Sequence, residues 1–242
     1  MSRRNSSAPD SHLRTERRPI LCYVTDRHGL NNAPENVLIE SLLAKIESLA
    51  AAGIDLIQLR EKDLSGRDAA AFTREALRRV SRFAGLAQAA PRILVNDRLD
   101  VALAEKAGGV HLSENSLPVD EAKRLLLAYQ VSQSFGSDFL VGVSCHTLEA
   151  AQSAAAAGAD YVFFGPVFAT PSKAAYGAPQ GLERLAEVCG SADIPVLAIG
   201  GISLANAASC FSAGASGIAT IRLFQNSIDP VGIIQTLRRQ SR

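Results

Sequence analysis

Short apolar runs alternate along the chain with longer segments in which apolar residues recur every three to four positions. Longer segments such as residues 36–53 and 67–85 have the spacing of helices that turn one face to a core. The short runs predict eight strands: ILCYVT (20–25), IDLIQLR (54–60), RILVN (92–96), GVHL (109–112), FLVGVS (139–144), DYVFFG (160–165), IPVLAIG (194–200) and SGIATI (216–221).

Four of the predicted helix-to-strand junctions share an Ala-Gly pair, which ends in Gly53, Gly108, Gly158 or Gly214. Glycine ends a helix in the left-handed conformation without a steric penalty, so we expect these residues to be helix C-caps. They recur every 50 to 56 residues, about the length of two βα units. The pattern therefore predicts an α/β fold, a (β/α)8 TIM barrel, with a doubly wound sheet as the competing arrangement.

Composition is compatible with one barrel domain over residues 20–242. The chain has 242 residues, of which 47% are hydrophobic and only 5% aromatic, so its core must be mainly aliphatic. Residues 1–19 contain five arginines and few large apolar side chains, and we predict a disordered N-terminal tail. Asp10 and Glu16 count against interpreting the tail as a transit peptide.

The charge balance argues against large charged partners. The net charge is +1, which predicts no nucleic-acid partner and no acidic membrane surface, and no apolar stretch is long enough to span a bilayer. The four cysteines include no CxxC pair, so we expect reduced thiols in a cytoplasmic protein. The sequence leaves both a monomer and a homo-oligomer open.

Polar residues follow the predicted strands, at the end of the barrel where active sites are built. Gly200 and Gly201, with a helix expected to start at Ser203, suit a phosphate. In the extended segment after the second strand, Gln58, Arg60 and Lys62 should point the same way and suit a second anion. Asp97 after the third strand would supply the carboxylate that Mg²⁺ prefers beside a pyrophosphate.

Several segments together resemble the thiamine phosphate synthases and the related TenI-like proteins, over nearly the whole barrel. The most specific are QLREKDLSGR, LVNDRLDVALA, VGVSCHTLEAA, GADYVFFGPVFATPSK and IPVLAIGGIS. The resemblance implies transfer of a hydroxymethylpyrimidine group from its pyrophosphate to a thiazole phosphate, with Mg²⁺ as cofactor. Pyrophosphate would leave first, so electrostatic stabilisation and positioning matter more than a general base.

The resemblance also implies a set of site residues. It makes Arg60, Lys62, Ser144 and Lys173 catalytic, with Ser144 between the two substrates. It assigns the pyrimidine pyrophosphate to Gln58, Arg60, Lys62, Asn96 and Lys173. It assigns the thiazole phosphate to Thr170, Ser172, Gly200, Gly201 and Ile221, with Arg222 nearby. It assigns the metal to Asp97 and to the position of Ser116.

Three residues near these strand ends invite other roles. The sequence positions no partner for His111 or His146, and we interpret both as structural or helix-capping. Cys145 lies between Ser144 and His146, but neighbours at a strand end face different ways and cannot form a catalytic pair.

Ser116 departs from the family pattern. Synthases of the family read GVHLGQED here, with the final Asp as a second metal ligand, whereas this chain reads GVHLSENS. Asp97 with water and pyrophosphate would suffice for Mg²⁺, or Glu114 would supply the missing charge. Alternatively, the chain has become a TenI-like protein, a thiazole tautomerase or a binder of thiazole phosphate or thiamine phosphate.

Two further positions bear on this choice. The tautomerase uses a histidine after the sixth strand where this chain has Pro166, which favours the synthase. Many members have a small residue at the position of Arg222, where a cation would either reinforce phosphate binding or crowd the site. An unrelated phosphate-binding barrel enzyme is the weakest alternative, because the predicted barrel centre offers no lysine or acid pair for aldol or enolisation chemistry.

Overall fold

A computed structural model describes residues 18–30, 33–84, 90–133, 138–170 and 178–241, without the side chains of 132 and 133. The predicted disordered tail therefore lies outside the described residues, except for its last two positions. Among the described helices, none is both long enough and apolar enough to cross a membrane.

Eight parallel strands pair in chain order and close into a barrel, with β1 hydrogen-bonded to both β2 and β8. The predicted (β/α)8 barrel is therefore confirmed, and the doubly wound sheet is wrong. The strands are β1 Ile20–Val24, β2 Leu56–Leu59, β3 Arg92–Asn96, β4 Gly109–Leu112, β5 Leu140–Cys145, β6 Tyr161–Phe164, β7 Val196–Ile199 and β8 Gly217–Thr220.

Helices follow the strands and cover the outside of the barrel. They are α1 Glu35–Ala52, α2 Gly66–Val80, α3 Leu99–Ala104, α4 Val119–Gln133, α5 Leu148–Ala156, α6 Gly181–Ser191, α7 Ala207–Ser212, α8 Arg222–Gln225 and α9 Pro230–Gln240. Side-chain caps start several of them: Ser65 accepts the N–H of Asp68 at 3.2 Å, and Thr147 accepts that of Ala150 at 3.1 Å.

Three of the four predicted glycine caps are confirmed. Gly53, Gly158 and Gly214 have φ of 86°, 90° and 95°, the left-handed values that end a helix. The prediction for Gly108 is wrong, because the positive φ in this junction belongs to Lys106, at 54°. Gly108 instead packs closely against β3, since a Cβ there would lie 3.0 Å from the Cβ of Arg92.

The strands divide the core into two clusters because successive side chains point to opposite faces. An outer cluster fills the space between strands and helices, and an inner one fills the barrel. The buried members of the inner cluster are Ile20, Cys22, Val24, Leu56, Leu94, Leu140, Tyr161, Phe163, Leu197 and Ala219. On β2 to β5 the inner positions nearest the carboxyl ends are instead polar, and these residues, Gln58, Asn96, His111 and Ser144, begin the candidate site.

Candidate active site

A line of amide and carboxylate groups crosses the ends of β2 and β3. Gln58 Nε2 donates to Asn96 Oδ1 at 2.8 Å, and Asn96 Nδ2 donates to Asp97 Oδ2 at 2.8 Å. Because a carboxylate only accepts, the orientation of both amides is fixed from Asp97 outward. Gln58 Oε1 is left buried and without a hydrogen-bond partner among the described residues. Gln58 therefore presents an unused acceptor beside this line.

Asp97 is held rigidly at the point where β3 ends. Its backbone has the left-handed φ of 58°, which aspartate tolerates better than most residues. The Ser113 N–H donates to Asp97 Oδ1 at 2.7 Å. Burial would raise the pKa of Asp97, but hydrogen bonds from Ser113, Ser116 and Asn96 outweigh burial and lower it. The carboxylate is therefore ionised at neutral pH.

The structure brings the two predicted metal-binding positions together, since the Ser116 side chain is near enough to lower the pKa of Asp97. Glu114, the other acid of this loop, has its carboxylate 3.9 Å from His146 Nε2. The described residues contain no cluster of three or more His, Cys, Asp or Glu suited to a metal ion. The described residues thus offer the carboxylate of Asp97 at this place, with the hydroxyls of Ser113 and Ser116 beside it.

The segment after β2 brings two predicted cations to the same end of the barrel. Arg60 is half-buried and Lys62 is exposed. Lys62 lines a cavity that Asn96 and Asp97 also line. Glu61 lies between these two cations in the chain, and its side chain is buried, with only 3% exposed. Lys62 lies in a turn and Glu61 lines the same cavity, so the predicted common direction of Gln58, Arg60 and Lys62 stays a prediction.

Arg27, which follows β1, holds the loop after β2 in place through ion pairs. Its guanidinium lies 2.9 Å from Glu61 Oε2, 2.5 Å from Asp63 Oδ2 and 2.5 Å from Glu35 Oε1. The Thr25 hydroxyl donates to Glu61 Oε1 at 2.5 Å and accepts the backbone N–H of Arg60 at 2.9 Å. Sequence reasoning missed this cluster, because nothing in the sequence showed that Glu61 faces inward.

His111 has two partners that the sequence did not reveal. Its Nε2 lies 2.9 Å from Ser144 Oγ, and its Nδ1 lies 3.0 Å from the hydroxyl of Tyr161. Burial lowers the pKa of His111 to about 3, so the ring is neutral. The interpretation of His111 as a structural residue is therefore incomplete, because His111 directly contacts Ser144, a predicted site residue. His146 is bonded through Nδ1 to the carbonyl of Gly165.

Gly200 and Gly201 follow β7 with φ of 95° and 68°. A Cβ on Gly200 would lie 2.5 Å from the Cβ of Pro166, and one on Gly201 would lie 2.7 Å from that of Phe168. Both glycines are therefore needed for packing against the loop after β6, in which the Gly165–Pro166 bond is cis. Among the described residues, neither glycine N–H makes a backbone hydrogen bond.

The helix expected from Ser203 begins differently. The Ser203 carbonyl accepts the N–H of Ala207 at 3.0 Å, but the regular helix α7 starts only at Ala207, after a turn. Asn206 causes this offset, because its side chain accepts the Ser203 N–H at 2.7 Å and donates to the Gly201 carbonyl at 3.0 Å. The helix dipole is thus farther from the two glycines than predicted.

The remaining predicted residues lie after β6 and β8, and two of them lie outside the described residues. Ile221 and Arg222 follow β8, with Arg222 exposed at the first position of α8. Thr170 is half-buried in the loop after β6. Ser172 and Lys173 lie outside the described residues, so their predicted roles stay predictions. Burial raises the pKa of the Cys145 thiol to about 12, which agrees with its exclusion as a nucleophile.

Comparison with known proteins gives consistent results. A family model described as thiamine monophosphate synthase matches residues 23–224. A thiamine-phosphate synthase of Roseiflexus sp. (strain RS-1) is 40% identical over 90% of this chain and 83% of its own length. One from Methanoculleus marisnigri is 43% identical over 78% of this chain and 82% of its own length. The solved thiamine phosphate pyrophosphorylase from Pyrococcus furiosus has a TM-score of 0.71 at 30% identity, covering 93% of this chain and 96% of its own.

Proposed function

The chain belongs to the thiamine monophosphate synthase family, and on that premise we propose that it joins a hydroxymethylpyrimidine to a thiazole phosphate. The pyrimidine pyrophosphate would lose pyrophosphate, and the thiazole ring nitrogen would bond to the methylene carbon, giving thiamine phosphate. The observation that carries this proposal is the line from Gln58 through Asn96 to Asp97, with Lys62 on the cavity that Asn96 and Asp97 line.

The line of amides suits the pyrimidine end of the first substrate. Gln58 Oε1 is a buried acceptor without a partner among the described residues, and a shift of this side chain towards the mouth would let it receive an N–H of the pyrimidine amino group. Leaving such a group unsatisfied is costly, so a ligand that bonds to it gains both affinity and orientation.

The cations suit the pyrophosphate. Arg60 and Lys62, with Lys173 as a further prediction, would neutralise the charge that grows on pyrophosphate as it departs. No described residue has to remove a proton in this step, because the thiazole nitrogen attacks with its lone pair. The residues would therefore act mainly by holding two anionic substrates in line.

The residues beside Asp97 fit Mg²⁺. Asp97 is ionised, its orientation is set by Ser113 and Asn96, and the Ser116 hydroxyl adjoins it. Mg²⁺ keeps several waters and needs only one or two carboxylates when substrate phosphates complete its shell. Asp97 and Ser116 would hold the ion, which when bound would neutralise charge on the pyrophosphate.

The thiazole phosphate would bind on the opposite side of the mouth. The amides of Gly200 and Gly201 are not in backbone hydrogen bonds, which suits an anion, and Ile221 with Arg222 follows the neighbouring strand. Thr170 and Ser172 are the predicted hydroxyl donors.

The four cysteines are free thiols, which supports our proposal of a cytoplasmic enzyme.

The test is to mix the purified protein with the pyrimidine pyrophosphate, the thiazole phosphate and Mg²⁺, and to follow thiamine phosphate by oxidation to its fluorescent form. The thiazole would be supplied both with and without its carboxylate. We expect product in one or both reactions, and none after Asp97→Ala or Lys173→Ala. Asp100→Asn is the matched control, because Asp100 pairs with Arg98 on the exposed surface. No product from the wild-type protein with either thiazole would refute the proposal.

A further inference from the structure

A buried chain of hydrogen bonds leads from inside the barrel to Ser144 at its mouth. The Tyr161 hydroxyl lies 3.0 Å from His111 Nδ1, and His111 Nε2 lies 2.9 Å from Ser144 Oγ. Tyr161 is fully buried and His111 is 1% exposed, whereas Ser144 is half-buried. The three residues belong to the neighbouring strands β6, β4 and β5, so Ser144 is the member of the chain that a ligand can reach.

The buried hydroxyl of Tyr161 fixes the direction of the hydrogen bonds that run from Tyr161 through His111 to Ser144. A phenol carries one proton, and a buried donor that bonds to nothing is strongly disfavoured. Within the described residues, His111 Nδ1 is the polar atom that hydrogen-bonds to this hydroxyl. Tyr161 therefore donates, and Nδ1 accepts and bears no proton. The ring proton of His111 is then on Nε2, which donates to Ser144 Oγ.

The packing around the chain leaves it little freedom. Gly142 faces both His111 and Tyr161 in the strand register, and a Cβ there would lie 2.0 Å from Tyr161 Cζ and 2.4 Å from its hydroxyl. The absence of a side chain on β5 therefore makes room for the tyrosine to reach the histidine. The imidazole also lies against Phe163, with 4.0 Å between the ring centroids.

We propose that Tyr161 and His111 are positioning residues that set Ser144 as a hydrogen-bond donor to the substrate. Since Ser144 Oγ accepts a hydrogen bond from the N–H at Nε2 of His111, its own hydroxyl proton is left to point away from His111. A hydroxyl arranged in this way binds an acceptor, and in the proposed reaction that acceptor is an oxygen of the departing pyrophosphate. The identity of the acceptor rests on the proposed function, but the direction of the chain does not.

The direction is tested by nitrogen NMR of protein labelled with ¹⁵N-histidine. We expect His111 to be protonated on Nε2 and bare on Nδ1, because each tautomer gives a distinct pair of nitrogen shifts. His146 is an internal reference of the opposite kind, because its Nδ1 donates to a carbonyl. Spectra of His111→Gln and His146→Gln variants assign the two signals. A His111 protonated on Nδ1 in the wild-type protein would overturn the proposal.

The effect on Ser144 is tested by kinetics of Tyr161→Phe, Ser144→Ala and the double variant. Direct donors to a developing anion contribute about a hundredfold or more, so we expect an indirect loss of roughly tenfold in kcat for Tyr161→Phe, with KM for the thiazole phosphate unchanged. In the Ser144→Ala background the same change should have no effect. Equal losses in both backgrounds, or no loss in either, would overturn the proposal.

Tyr23→Phe is the matched control. It removes another buried tyrosine hydroxyl, which donates to Gln225 Oε1 at 2.8 Å, and should leave kcat within about twofold. If the wild-type protein makes no thiamine phosphate, the proposed function fails while the NMR result still decides the direction of the chain. The two failures are therefore distinguishable.

Discussion

Replacing Arg27 with methionine keeps an apolar stem of similar length but removes the cation that three carboxylates share. These carboxylates differ in their exposure. The Glu61 side chain is 3% exposed, as is that of Arg27, whereas those of Glu35 and Asp63 are 54% and 56% exposed. Water can solvate the two exposed acids after the change, but Glu61 would remain a buried charge without its cation.

The magnitude follows from this difference. Removing one partner of a buried ion pair costs about 3–5 kcal/mol, and each exposed pair adds about 0–1 kcal/mol. Glu61 would keep the Thr25 hydroxyl at 2.5 Å and the backbone N–H of residue 27 at 3.1 Å, which places the cost near the lower end. We therefore expect Arg27→Met to lower the free energy of unfolding by roughly 3 kcal/mol. For a protein of this size that corresponds to a fall in Tm of about 6–12 °C.

The assay is thermal unfolding followed by circular dichroism. Arg27→Lys is the matched control, since it keeps the charge, and should lose less than the methionine variant. The double variant Arg27→Met/Glu61→Gln removes the unpaired charge as well, so we expect it to be more stable than Arg27→Met alone. If the double variant is no more stable, or if Arg27→Met lowers Tm by less than about 2 °C, the buried-charge reasoning is wrong.

Three further predictions concern the site and the barrel interior. Ser116→Asp should lower the Mg²⁺ concentration for half-maximal activity roughly tenfold, as a metal titration would show; an unchanged titration would mean that the metal is misplaced. The pKa of His111 is about 3 in the folded protein and roughly 6.5 in an unfolded chain. The unfolded state therefore takes up this proton first, and the stability of the protein falls as the pH drops from about 6.5 towards 3. His111→Gln should remove up to about 1.4 kcal/mol per pH unit of that dependence in urea unfolding across this range, and equal slopes would contradict it. Gly142→Ala should cost about 1–3 kcal/mol, because its Cβ would lie 2.0 Å from Tyr161 Cζ, and an unfolding curve equal to that of the wild type would show that the ring moves freely.

Much of the fold could be predicted because it depends on local patterns. The eight apolar runs are the eight strands to within two residues at either end, and Gly53, Gly158 and Gly214 end helices as expected. Gly108 was the exception, because a glycine can be required either by its own φ or by a neighbour. The sequence shows the glycine but not the Arg92 side chain against which it packs.

The candidate site was predictable as a set of positions but not as a set of contacts. Placing Asp97 and Ser116 together required only the order of strands and the family resemblance. The partners of His111 could not be found, because Ser144 and Tyr161 are 33 and 50 residues away and reach it only through the barrel register. For the same reason, the inward turn of Glu61 towards Arg27 appeared only in the structure.

The glycine at position 142 and the tyrosine that it admits have a consequence for protein engineering. A redesign aimed at thermal stability would favour filling the barrel with aliphatic side chains and would treat Tyr161 and His111 as ordinary core positions. Such a variant is expected to fold, yet it would lose the donors that lead to Ser144. The stability and the activity of this barrel therefore have to be optimised together at these interior positions, even though neither residue lies on the surface that the substrates reach.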